Sequence, residues 1–154
     1  MTKVLFEDDA YLKSCSATVT AVTDQGITLD RTVFYPLGGG QPGDQGHLEM
    51  GAGSQVAIVD TRKGEGGVIV HLTDSEHGLQ AGDAVTAVLD WDRRYVHMRM
   101  HTGLHLLGSL VPFGVTGGNI SSAKSRLDFD MDSGIDKEPV QQALMAIMNY
   151  TLMM

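Results

Sequence analysis

The hydrophobic periodicity of the chain changes at Asp90, and this change constrains the fold more than any other feature of the sequence. Before Asp90, short runs rich in β-branched residues are separated by turns that contain glycine, which is typical of β-strands. After Asp90, apolar residues recur three and four positions apart as far as Pro112 and Gly114, which predicts one helix of about twenty residues capped by Asp90. We therefore predict an α+β protein, with a small β-barrel in residues 1–90 and an α/β part in residues 91–154 that this helix opens.

Two further patterns predict a β-hairpin in the first part and a second helix in the second part. Residues 17–35 alternate β-branched and polar positions around Asp24-Gln25-Gly26, which predicts a β-hairpin. A second helix is predicted to begin between Asp136 and Pro139. The sequence stops inside that helix without a cap or a polar tail, so we expect a C-terminally truncated chain.

The composition excludes several classes of protein. No apolar run approaches 18 residues and no signal peptide is recognisable, so we expect a cytoplasmic protein without membrane contact. The single cysteine, Cys15, cannot form an intramolecular disulfide, which suits a reducing compartment. The net charge of -8 arises entirely before Trp91. The acidic part would repel RNA, whereas the neutral remainder can carry a local basic patch. The oligomeric state stays open.

Three histidines lie four residues apart on one face of the first predicted helix: His97, His101 and His105. Eight residues of helix separate His97 from His105 by roughly 12 Å, too far for both to bind one metal ion. Two histidines four residues apart can form half of a zinc site. The alternative is that these histidines are half-buried or surface residues of an amphipathic helix.

The segment FYPLGGGQPGDQG, residues 34–46, is unusually rich in glycine. Because Gly38–Gly40 lack side chains, their backbone amides can approach a bulky substrate, and Gln41 offers both a hydrogen-bond donor and an acceptor. The alternative is a tight turn between two strands that the flanking prolines stiffen. We expect Asp44 to fix this segment rather than to act as a general base.

The glycine-glutamine segment and the HTGLH motif together resemble the editing domain of alanyl-tRNA synthetase and the AlaX family of trans-editing proteins. The resemblance extends from LFEDDAYL through DWDRRYVHMRMHTGLHLL to SRLDFD, which is nearly all of the chain. It implies hydrolysis of mischarged aminoacyl-tRNA, carrying serine or glycine in place of alanine, and tRNA as the partner. It also implies zinc, held by His101 and His105 together with a CxxxH pair. In the family that pair follows the second helix, so residues 91–154 would form an incomplete editing domain.

The same resemblance suggests which residues bind the substrate, although it singles out no catalytic residue. Gly39, Gly40 and Gln41 would line the pocket for the tRNA acceptor end. Polar residues of the NISS segment would contact the serine hydroxyl, or else shape a turn into the next strand: Asn119, Ser121 and Ser122. Basic residues near the helix could contact phosphates or simply be solvated: Arg93, Arg94, Arg99, Lys124 and Arg126. The competing hypothesis is a non-catalytic module that binds tRNA or a synthetase.

Overall fold

The chain folds into two compact units of α+β structure, which confirms the predicted fold class. The computed structural model describes residues 1–153, with side chains as far as residue 149. The first unit comprises Met1–Gly38 and Pro42–Arg94, and the second comprises Gly39–Gln41 and the chain from Tyr95 onward. The predicted domains, 1–90 and 91–154, stay a prediction, and Met154 lies outside the described residues.

The first unit consists mainly of short β-strands. They are β1 (Lys3–Val4), β2 (Ser14–Thr23), β3 (Gly26–Leu29), β4 (Arg31–Thr32), β5 (Gly46–Glu49), β6 (Gln55–Ile58), β7 (Asp60–Lys63), β8 (Ile69–Leu72) and β9 (Ala84–Leu89). Seven of them form one antiparallel sheet in the order β6-β5-β9-β2-β3-β8-β7, and β1 pairs with β4 in parallel. Thr23 is paired with Gly26 in the register of β2 and β3, so the predicted hairpin is confirmed.

The predicted barrel is not confirmed, because the described residues contain no ladder that joins the two edge strands. The sheet begins with β6 and ends with β7, and only Val59 separates these strands in the chain. The two strands therefore follow one another instead of lying side by side. The backbone N–H of Val59, between these strands, donates to the carbonyl of Leu72 at 2.8 Å.

Alternating side chains of these strands form the hydrophobic core of the first unit. Strand β2 illustrates the pattern, because Ala17 and Val19 are buried while Thr18 and Thr20 are exposed. The largest fully buried apolar side chains of the core are those of Phe34, Ile27, Leu29, Leu48 and Ile58.

A buried ion pair ties together the two ends of the glycine-rich segment. A carboxylate oxygen of Asp44 accepts hydrogen bonds from the Tyr35 backbone at 2.7 Å and from the Arg94 guanidinium at 2.5 Å. The Asp44 backbone N–H in turn donates to the Tyr35 carbonyl at 2.9 Å. Both charged side chains are almost inaccessible to water. The structural role predicted for Asp44 is therefore confirmed, and Arg94 is held in the protein interior.

Two helices and a two-stranded sheet complete the fold. They are α1 (Trp91–Leu110), β10 (Val115–Asn119), β11 (Arg126–Phe129) and α2 (Lys137–Met153). The boundary between the units falls within α1, after Arg94. Asp90 caps α1 as predicted, because its carboxylate accepts the N–H of Arg93 at 3.2 Å. Neither helix, over the residues described, is long and apolar enough to cross a membrane.

Candidate functional site

The second unit contains a pocket of about 620 Å³ between α1, the glycine-rich segment and the β10–β11 sheet. Its volume lies within the usual range of small-molecule sites. Its lining is mainly aliphatic side chains and glycine, with two histidines as its titratable groups. The lining residues are Gly39, Gly40, His101, Leu104, His105, Gly108, Val115, Gly117, Gly118, Ile120 and Leu127.

The glycine segment reaches this pocket through backbone conformations that favour glycine. Gly39 and Gly40 have φ angles of 60° and 80°, in the left-handed region. The carbonyl of Gly40 accepts a 2.8 Å hydrogen bond from the backbone N–H of Ile120. A Cβ atom on Gly40 would lie 3.1 Å from the carbonyl oxygen of Gly118. Two glycines thus allow the segment and β10 to approach backbone to backbone.

Gln41 is buried and binds one of the two histidines. Its side-chain carbonyl oxygen lies 2.9 Å from Nδ1 of His101, and the residue is only 3% exposed. Because a carbonyl oxygen can only accept, Nδ1 of His101 carries the proton and Nε2 keeps its lone pair. Gln41 therefore fixes the tautomer of His101. The substrate contact expected of Gln41 from the sequence stays a prediction, and the structure adds this contact with a histidine.

His101 and His105 lie side by side on α1. Their rings are stacked with centroids 4.9 Å apart and planes 14° apart. Burial, and then the neighbouring His105, hold the pKa of His101 below its ordinary value. A lowered pKa keeps the imidazole neutral, which is the form that binds a metal ion.

The two histidines at the pocket are of the residue type that would form half of a zinc site. Two adjacent imidazoles with one fixed tautomer are ligands that zinc accepts, and the Gln41 contact is the kind of second interaction that orients a ligating histidine. Structural zinc sites take four protein ligands and catalytic ones take three. Within the described residues, no group of three or more histidine, cysteine, aspartate or glutamate side chains could hold a metal ion. His97 is buried and is not among the residues that line the pocket.

The NISS residues lie beside the pocket and do not line it. Asn119 is exposed at the end of β10, between the lining residues Gly118 and Ile120. The Ser121 hydroxyl donates to the Lys124 carbonyl at 2.6 Å and accepts the Lys124 N–H at 3.0 Å, so it closes a turn. Ser122 is exposed. The contact of these residues with a serine hydroxyl stays a prediction.

The basic residues that were predicted to contact phosphates lie in different environments. Arg94 is engaged by Asp44, and Arg93 donates to the Gly43 carbonyl at 2.9 Å. In the second unit, Arg126 forms an exposed ion pair with Asp128 at 3.0 Å, and Arg99 lies 5.9 Å from the ring of Tyr95. Lys124 is exposed.

Several pocket residues were not predicted from the sequence. Leu104 and Gly108 share the helix face of His101, at spacings of three and seven, so helical periodicity could have identified them. Gly117, Gly118 and Ile120 lie in or beside β10, a strand that its two glycines concealed.

The chain is similar to proteins named for alanyl-tRNA editing and to alanine–tRNA ligases. Residues 4–93 match the family described as tRNA synthetases class II (A). An alanyl-tRNA editing protein AlaX-M of Methanosarcina barkeri is 43% identical over 141 residues, which cover 86% of this chain and 58% of the relative. An AlaX-M of Pyrococcus horikoshii is 37% identical, with coverage of 89% and 64%. An alanine–tRNA ligase of Metallosphaera sedula is 38% identical over 92% of this chain and 16% of the ligase. The chain thus spans about three fifths of the length of the AlaX-M proteins it matches.

Proposed function

Because the chain belongs to the family described as tRNA synthetases class II (A) and is similar to alanyl-tRNA editing proteins, we propose that it edits mischarged alanine tRNA. The reaction is hydrolysis of the ester that joins serine or glycine to the terminal ribose. The products are the free amino acid and uncharged tRNA. The reaction takes place in trans, in the cytoplasm, on the acceptor end of the tRNA.

The contact between Gln41 and His101 at the edge of the pocket carries this proposal. It places a neutral imidazole of fixed tautomer beside a cavity of about 620 Å³. The glycine backbone at positions 39 and 40 allows the ester to come close to the two histidines. The aliphatic walls exclude water from the part of the substrate they cover, which strengthens polar interactions at the ester.

His101 and His105 would hold a zinc ion, with water or substrate atoms completing its coordination. When bound, zinc supplies Lewis-acid polarisation of the ester or lowers the pKa of water. Gln41 keeps Nε2 of His101 unprotonated, and the stacked arrangement keeps the two rings adjacent. The Gln41 hydrogen bond and the ring stacking would thus hold the two imidazoles in place, whichever of these two roles the metal has.

An editing site must bind the amino acids that the aminoacylation site of a synthetase cannot exclude. A site for alanine excludes glycine poorly by size, and serine differs only by a hydroxyl group. We propose that polar residues next to the pocket favour serine, with Asn119, Ser121 and Ser122 as the candidates. The binding-module alternative is favoured by one observation, namely that the described residues supply two histidines and no third metal ligand nearby.

The test is a deacylation assay of the 154-residue chain with alanine tRNA charged with serine, glycine or alanine. The AlaX-M protein of Methanosarcina barkeri serves as the assay control. We expect hydrolysis of seryl- and glycyl-tRNA, little effect on alanyl-tRNA, and loss of activity with a zinc chelator. Tight binding of tRNA without turnover, with zinc present and the control active, would support the binding module instead. Equal rates with and without chelator would remove zinc from the mechanism.

A further inference from the structure

Lys63, on the edge strand β7, brings a positive charge to the glycine-rich segment of residues 34–46. Its Nζ atom would lie 3.7 Å, and its Cε atom 3.9 Å, from a Cβ atom built on Gly38. The ammonium group therefore lies close to the Gly38 backbone, in space that a side chain at position 38 would share. Gly38 directly precedes Gly39, one of the residues that line the pocket.

The strand that carries Lys63 is fixed to the glycine-rich segment by Thr61. The carbonyl of Thr61 accepts the backbone N–H of Leu37 at 2.8 Å, and its hydroxyl donates to the carbonyl of Asp44 at 2.9 Å. Thr61 is fully buried. Alternate residues of a strand point to the same face, so Lys63 lies on the face of β7 from which the Thr61 hydroxyl holds the segment. The approach of Lys63 to Gly38 thus follows from the backbone arrangement.

The charge of Lys63 is not neutralised by the protein. Within the part of the chain that the structure describes, its ammonium group has no ion pair and no side-chain hydrogen bond. Its neighbour Arg62, in contrast, is bound to Asp60 at 2.8 Å. The net charge of -8 arises entirely before Trp91, so carboxylates are abundant in this part of the chain. A lysine that has no carboxylate partner in such acidic surroundings is available to an anionic partner.

A phosphate group of RNA is the anion that suits this position. Every nucleotide of a tRNA carries one, and lysine binds phosphate as a compact point charge. Salt screens charges more than about 10 Å away, so a phosphate beside Gly38 experiences Lys63 more strongly than the dispersed carboxylates. Two carboxylates of this region, Asp44 and Asp60, are already paired with arginines. The general repulsion of RNA by the acidic part therefore does not prevent a contact at this point.

We propose that Lys63 binds a backbone phosphate in the single-stranded 3′ end of the tRNA, next to the glycine-rich segment. This inference rests on the proposed function and adds a residue of the first unit to the recognition of tRNA. The contact positions the 3′ end without reading its sequence, and recognition of the amino acid is left to the pocket. Lys63 was not among the basic residues that the sequence suggested, because it lies in the acidic part of the chain and outside both motifs.

The salt dependence of tRNA binding tests this contact. Uncharged alanine tRNA is titrated with the 154-residue wild type, Lys63→Gln and Lys63→Arg at several salt concentrations. Each neutralised phosphate contributes about 0.7–0.9 to the slope of the logarithm of the binding constant against that of the salt concentration. We expect Lys63→Gln to make the slope shallower by about this amount and Lys63→Arg to keep it. Because Lys63 is exposed, the melting temperatures should be equal. In the deacylation assay, Lys63→Gln should raise KM and leave kcat unchanged.

Lys3→Gln is the matched control, since Lys3 is also exposed and also lacks an ion pair among the described residues. This variant should keep the wild-type slope. An alanine tRNA that lacks its single-stranded 3′ end is the second control, and Lys63→Gln should bind it as the wild type does. An unchanged slope in Lys63→Gln would overturn the proposal. So would equal changes of slope in Lys3→Gln and Lys63→Gln, or an equal effect of Lys63→Gln on both RNAs.

Hydrolysis by the wild type separates the failure of this inference from the failure of the proposed function. If the wild type hydrolyses seryl-tRNA while Lys63→Gln shows the wild-type slope and KM, only the Lys63 contact is wrong. If the wild type neither hydrolyses seryl-tRNA nor binds tRNA, the proposed function fails and the Lys63 contact fails with it. Binding without hydrolysis, together with a shallower slope in Lys63→Gln, would support the contact in a binding module.

Discussion

The side-chain carbonyl oxygen of Gln41 lies 2.9 Å from Nδ1 of His101, a residue sixty positions later in the chain. This contact joins the two motifs that carry the resemblance to editing proteins. It assigns the glutamine a partner inside the second unit and leaves Nε2 of the histidine as an acceptor. The glycines before Gln41 allow the segment to approach β10 at the same place.

Replacing Gln41 should change the tautomer of His101. Without the acceptor, Nδ1 loses the partner that holds its proton, so Gln41→Ala should increase the population of the form with the proton on Nε2. Imidazole ¹⁵N chemical shifts measure the two forms. Gln25→Ala, at an exposed position of the hairpin, is the control and should leave the shifts unchanged. An unaltered His101 spectrum in Gln41→Ala would contradict the assigned hydrogen bond.

Removing His105 should raise the pKa of His101. Burial lowers the pKa of His101 first, and repulsion from His105 lowers it further. His105→Ala removes only the second contribution, so the pKa should rise and still stay below its ordinary value. A titration followed by NMR measures the change. A fall in the pKa, or no change, would show that the two rings do not interact in this way.

Local structure could be predicted well from the sequence, and long-range contacts poorly. The α1 cap at Asp90 and the β2–β3 hairpin follow from nearby residues, so periodicity and turn chemistry were sufficient. The β10 strand was missed because its glycines look like a turn. The partner of Gln41 could not be deduced, because only the folded chain brings positions 41 and 101 together. We expected a barrel from the number of short strands. That number does not determine whether the two edge strands of the sheet pair with each other.

Glycine positions should tolerate substitution least where conformation and space both require glycine. Gly51 has neither constraint, Gly53 has a φ of 77° with no neighbour within 4 Å, and Gly40 has a φ of 80° with the Gly118 oxygen 3.1 Å away. We expect alanine to be nearly neutral at position 51, to cost about 1 kcal/mol at position 53, and to cost more at position 40. Denaturant unfolding measures the order, and Gly40→Ala as the mildest of the three would contradict the geometry.

A buried histidine outside the pocket should make the first unit sensitive to acid. His71 is fully buried, its Nδ1–H donates to the Ile27 carbonyl at 2.9 Å, and its Nε2 lies 2.8 Å from the Thr32 hydroxyl. Burial lowers the pKa of His71 from 6.5 to about 4. This sensitivity to acid could not be predicted from the sequence, because the sequence does not show whether a histidine in a β-strand is buried.

The sign of the effect follows from proton uptake. The unfolded chain binds a proton near pH 6.5 and the folded chain only near pH 4, so the stabilisation is present above pH 6.5 and is lost as the pH falls towards 4. The loss should reach about 3 kcal/mol. Unfolding free energies from pH 7 to pH 4 measure it, with His47→Ala expected to keep this dependence and His71→Asn to lack it. Equal slopes in all three proteins would argue against a neutral, buried His71.

The rate of seryl-tRNA hydrolysis in histidine variants tests the central claim most directly. Zinc-supplemented wild type, His101→Ala, His105→Ala and the control His47→Ala are assayed on alanine tRNA charged with serine, after circular dichroism shows that each is folded. We predict that wild type and His47→Ala release serine at similar rates, while both pocket variants fall to the rate without protein. Wild-type rates in His101→Ala and His105→Ala would contradict the assignment of the active site to this pair.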